Sequence, residues 1–133
     1  GYKNWNQIFW AMADKFKKIT TPHWKTLWSE IEHLSQEIYG IIFNPNYGEG
    51  EISAKEMKET LEKLVREVEI YEMKVQKVIE EEKFASKEEK ASLKLLISEL
   101  NKIRNWIIQL LQKVENSSDN ISWEQFLQQE KII

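Results

Sequence analysis

Glu30, His33 and Glu37 are the residues whose types and spacing come nearest to a chemical site. Steps of three and four place them on one face of a helix, where two carboxylates and an imidazole could converge on a metal ion or share a proton. The other histidine, His23, has Thr20 three positions before it, so the spacing is not repeated. The face also lies opposite the apolar stripe of its own helix, and its expected state is a solvated polar surface. The chain has no cysteine, which removes thiolate nucleophiles, disulfides and Cys-bearing zinc sites together. With no stronger base or nucleophile in view, the expectation is a non-enzymatic chain with no catalytic residue, metal or cofactor.

Two partial resemblances bear on the same question. Glu30-x-x-His33 resembles half of the motif from which ferritin-like di-iron sites are built, which would imply a second Glu-x-x-His unit on a facing helix. The sequence supplies none. Glu49 to Ser53 with Glu56, and Ile121 to Phe126, each resemble the tail of an EF-hand loop and its exiting helix. Setting each isoleucine, Ile52 and Ile121, at loop position eight puts Pro45 and Tyr47 at the first ligand positions of one loop. Val114 and Asn116 stand there in the other. Calcium needs oxygen-bearing side chains at these places, and Asp119 and Gln125 further depart from the expected Gly and bidentate Glu, so calcium ligation is not expected.

Binding surfaces are the remaining candidates. Residues 1–28 carry Lys3, Lys15, Lys17, Lys18 and Lys25 against Asp14 alone, whereas 29–50 hold four glutamates and no base. Lys15, Lys17, Lys18 and Lys25 with a stacking Trp10 form the alternative reading, a nucleic-acid-binding or virion structural protein. The basic excess is small and close to compensating acids. The leading expectation rests instead on surplus apolar surface. Ile97, Trp106, Ile108 and Leu111, with Leu95, lie beyond the main seam of the fourth helix on both flanks, and Trp10 falls on the face of Lys3, Gln7, Asp14 and Lys17.

The elements that position these residues are helical. A chain of 133 residues with 41% hydrophobic and 31% charged residues, four Gly and two Pro has a core-forming composition with few turn formers, and it suits one domain, 1–133. Trp5, Ile8, Phe9, Met12, Phe16 and Ile19 predict a first helix over 4–19. Thr21 as N-cap and Pro22 at the first helical position predict a second helix, which runs to Phe43 before the loop 44–50.

Ser53 to Glu56 is a capping box with Ile52 and Met57 as its staple. It opens a heptad seam of Met57, Leu61, Leu64, Val68, Tyr71, Val75 and Val78. The seam fails at Glu82, and another resumes out of phase as Leu93, Leu96, Leu100, Ile103, Ile107, Leu110 and Val114, behind a second box, Ser86 to Glu89. A tight reversal near 83–85 is therefore expected; the alternative is one continuous rod exchanged between two subunits. Ser122 to Gln125 predicts a short last helix.

The expected fold is all-α: a four-helix bundle built on a long antiparallel hairpin, about 53–82 and 86–114, with a short fifth C-terminal helix. The expected role is protein–protein interaction as a homodimer. No apolar run reaches the roughly 20 residues of a membrane span and no secretory segment opens the chain, so a soluble, cytoplasmic protein with a processed or trimmed N-terminus is expected. Its richness in Lys, Glu and Ile without Cys resembles the composition of small helical-bundle proteins of viruses and plasmids of hyperthermophilic archaea. That resemblance implies a viral or mobile-element origin.

Overall fold

A computed structural model describes residues 7, 9–43, 51–81, 86–116 and 120–122 of the chain. Its ordered elements are α1 (Ala13–Lys17), α2 (Trp24–Phe43), β1 (Glu51–Ser53), α3 (Ala54–Glu81), α4 (Lys87–Glu115) and β2 (Asn120–Ser122). The fold is mostly helical and is organised by α3 and α4, which pack together over most of their length.

The two heptad seams supply that packing. Met57, Leu61, Leu64, Val68 and Val75 are buried on α3, with Tyr71 and Val78 partly so, and all seven seam residues of α4 are buried. At 1.5 Å per residue the 28- and 29-residue helices run side by side for roughly 40 Å. Their direction follows from the cross-links: Lys58 near the start of α3 lies 3.8 Å from Glu115 at the end of α4, and Arg104 lies 3.2 Å from Glu72. The helices are antiparallel within one chain, so the chain reverses between Glu81 and Lys87 and no continuous rod forms. The residues of the expected turn, 82–85, lie outside the described ones.

Both helices begin as their capping residues dictate. The Glu56 amide donates to Ser53 Oγ and the Glu89 amide to Ser86 Oγ, each at 3.1 Å. The open end of the hairpin carries a feature that was not expected, since β1 and β2 pair antiparallel with Ile52 opposite Ile121. These are the two isoleucines that the EF-hand likeness equated. The pairing joins the entry of α3 to the exit of α4, satisfying backbone groups that a loop would leave to water.

The N-terminal elements are held by aromatic rings. Trp28 stacks on Phe9 with centroids 5.5 Å apart and meets Phe16 at 5.1 Å and Trp24 at 6.3 Å. Trp24 also donates its indole N–H to the Phe16 carbonyl at 2.8 Å in the buried zone, binding α2 to the end of α1. The core continues through Ile31, Leu34 and Ile38 of α2 to Leu100 and Ile103 of α4.

Three boundaries differ from the sequence expectation. The first helix is interrupted at Met12, whose carbonyl accepts from both Lys15 and Phe16, and the final segment stops at Lys17. The change lets Ala13 rather than Met12 enter the core. The second helix starts at Trp24 and not at Pro22, because the Trp24 amide donates to the Thr21 carbonyl across a turn in which His23 has φ 64°. Proline second and a positive φ third is the pattern of a type II turn. The fourth column of the expected bundle is not established by the described residues, and the expected helix from Ser122, like loop 44–50, falls outside them.

His23→Gly is expected to leave thermal stability unchanged or raise it, while His23→Val lowers it, because a β-branched side chain resists the left-handed region. Leu64→Ala should cost about 2–5 kcal/mol in urea unfolding, as for a fully buried leucine whose cavity does not collapse.

Candidate functional site

The surplus apolar residues of α4 are used within the chain only in part. Ile97, Trp106 and Leu111 are partly buried against the core, Ile108 is partly buried, and Leu95 is exposed, at 38%. Trp10 is exposed to the same extent, its ring edge-on to Phe9 at 5.6 Å. It sits at the rim of the aromatic cluster and not on an isolated face.

Lys15, Lys17, Lys18 and Lys25 are all exposed. Lys17 lies 3.9 Å from Glu32 of α2, which neutralises part of the charge a phosphate backbone would need. Lys15, Lys17 and Lys18 stand at the C-terminal end of α1, where cations are favoured by the carbonyls left unpaired there.

Glu30 and His33 are exposed and Glu37 is partly buried, so the polar face expected from the sequence is largely solvated, and its two carboxylates also reach α3. They flank the seam between α2 and α3, Glu30 Oε2 lying 3.7 Å from Lys74 and Glu37 Oε1 3.9 Å from Lys63, while His33 is exposed. Among the described residues no group of three potential ligands is placed to hold a metal ion. The front half of the first calcium-like loop lies outside the described residues; in the second, Val114 is buried in the last turn of α4 and Asn116 is the C-cap of that helix.

Two polar clusters were not legible in sequence. On the other side of α3, Arg104 reaches Glu72 at 3.2 Å and Glu69 at 3.9 Å. Burial pushes the Glu72 carboxyl up, the Arg104 guanidinium opposes that shift, and Glu69 adds to it. At the head of α4, the Glu89 carboxylate does not close its own capping box. One of its oxygens accepts from the Thr20 amide at 3.1 Å and the Thr20 hydroxyl at 2.8 Å, and the other accepts from the Thr21 hydroxyl at 3.3 Å. The turn between α1 and α2 is thereby tied to α4, and Thr21 gives its hydroxyl to this link instead of capping α2. The same turn borders an open cleft of about 520 Å³ lined by His23, Leu27, Glu30, Lys74, Val78 and Glu81, among others. Its charges are largely matched internally, Lys74 by Glu30 and Lys77 by Glu81.

The surface that sequence reasoning passed over is the outer face of α3. Ile70 is 48% and Met73 71% exposed, neighbours one turn apart. They belong to a second stripe, Glu59, Lys63, Arg66, Ile70, Met73, Lys77 and Glu80, that steps by four and three opposite the core seam. The signal was present, since both residues lie off the Met57 to Val78 seam, but a charged stripe with two apolar members reads as ordinary helix surface. No family model matches the chain, and no curated protein or solved structure is significantly similar to it.

Glu89→Gln is expected to lower stability at neutral pH. Hydrogen bonds from the Thr20 amide and the Thr20 and Thr21 hydroxyls, set against burial, hold the Glu89 carboxyl below its ordinary 4.5. Its contribution is therefore present above that value and is lost as the pH falls through the lower folded one. Melting curves from neutral to acid pH should show the wild-type advantage over Glu89→Gln shrinking on acidification.

Proposed function

We propose that this chain is a non-enzymatic helical-bundle protein that acts by binding another protein through the outer face of α3, with a second copy of itself as the first partner to test. One observation carries the reading. At mid-helix, where solvent normally meets charged side chains, Ile70 and Met73 form an exposed apolar pair one turn apart, with Arg66 and Lys77 one turn to either side.

The physical fit is that of a helix laid along a helix. The 4-3 spacing of the stripe is the repeat that keeps two helices in register, with the apolar pair as the desolvated centre and the charged residues as the rim. Methionine suits such a centre because its unbranched thioether adapts to the surface it meets. Lys63 and Lys77 already meet acids of their own chain, so the charge nearest the pair that calls for an acidic group at the partner's rim is Arg66, and Glu59 and Glu80 of a second copy are of the required sign. Three of the α4 residues that first pointed to an interface are partly covered by the chain's own core, which favours α3.

Sedimentation velocity over a concentration series is the test. A reversible dimer is expected for the wild type, and Met73→Glu should shift it to monomer while leaving the melting temperature within about a degree, as for a surface change away from the core. A wild-type chain that stays monomeric at the highest attainable concentration, with Met73→Glu indistinguishable from it, overturns self-association through this face.

A further inference from the structure

The two polar flanks of α3 are built differently. Toward α4, cations on one helix meet carboxylates on the other. Toward α2, the charged groups that pair across the seam among the described residues are the carboxylates Glu30 and Glu37, and α3 answers with Lys74 and Lys63, the phenol of Tyr71 lying within the influence of Glu30. One member does not match. Glu67 of α3 lies against Glu37, and the single Lys63 ammonium stands 3.9 Å from Glu37 Oε1 and 3.8 Å from Glu67 Oε1. Two partly buried carboxylates thus face one cation across a helix–helix seam.

We infer that Glu37, Lys63 and Glu67 form a proton-operated latch between α2 and the α3/α4 hairpin, closed when the Glu37–Glu67 pair holds a proton and loosened when both carboxylates are ionised. A protonated Glu67 becomes the donor that the seam lacks: its O–H donates to Glu37, and Lys63 then neutralises the one remaining charge. Ionised, the pair carries two negative charges against one positive, and the repulsion falls on the contact that holds α2. The groups facing Glu67 are Glu37 from α2 and Lys63 and Tyr71 from α3, with Glu30 and Lys74 beyond the phenol. No other cation among them is placed to relieve the pair. Burial pushes the Glu67 carboxyl above 4.5, the Glu37 charge and hydrogen bond add to this, and Lys63 opposes it.

The sign follows from linkage. A carboxyl that holds its proton more tightly in the folded chain contributes stability that is fully present below 4.5 and is lost as the pH rises through the raised folded value. This is the reverse of the Glu89 link, so the two are separable. The movable unit is α2 with the aromatic cluster it carries, and α3 and α4 retain their own seam in both states.

Carbon-detected carboxyl titration of Glu67 is the direct test, joined to amide exchange along α2 at about pH 5 and about pH 8, corrected for intrinsic rates. The wild type is expected to titrate above 4.5 at Glu67, Glu37→Gln to bring that value down, and Glu67→Gln to make α2 protection the same at both pH values. A Glu67 that titrates at or below 4.5, or an α2 whose pH-dependent protection survives in Glu67→Gln, overturns the latch. Lys63→Met supplies a second variant, expected to raise the Glu67 value further by removing the bridging cation; a fall would also overturn it.

Discussion

Burial of two heptad seams against each other is the interaction on which the rest of this structure depends. Each seam is apolar along one side of a helix that by itself would leave that side in water, and neither has another surface of matching length to bury against. A helix cannot bury its own stripe, so within one chain the two seams meet only if the chain folds back on itself. The β1/β2 pairing then closes the open end of the hairpin, and the ion pairs Lys58 to Glu115 and Arg104 to Glu72 hold the helices in antiparallel alignment.

Everything else is attached to this hairpin by smaller and more polar means. The aromatic group of Phe9, Phe16, Trp24 and Trp28 makes α1 and α2 one unit, and three contacts fasten that unit: the core around Ile31, Leu34 and Ile38, the Glu89 carboxylate on Thr20 and Thr21, and the acidic seam toward α3. Partly buried charges cost desolvation, so such contacts stabilise less than the apolar seam does and depend more on protonation. The chain therefore combines a hairpin held by burial with an N-terminal unit whose attachment responds to pH at two places, in opposite directions.

Periodicity and capping made α3 and α4 legible to within a residue at all four of their ends, and the seam residues they expose to one another were legible almost completely. These are local properties, carried by residues three, four and seven apart. The candidate surface was less legible. Ile97, Trp106 and Leu111 read as surplus because a seam accounts for one direction of contact, while a helix packed between neighbours on both flanks buries more of its circumference. Ile70 and Met73 read as incidental, since only the packed structure says which face of α3 remains outside.

The sequence by itself determined the helical class, the antiparallel hairpin and the capping serines, because each follows from backbone and side-chain preferences within a turn or two of helix. Tertiary structure alone decided where the polar groups go. Glu89 was expected within its own capping box and instead holds a turn 69 residues away; Glu30 and Glu37, on a face that stays largely open to solvent, also pair with lysines of α3. The β1/β2 register likewise joins segments with two long helices between them. A carboxylate's partner is set by whichever donor the fold brings within about 3 Å, and that distance is a property of the packed chain that no local pattern encodes.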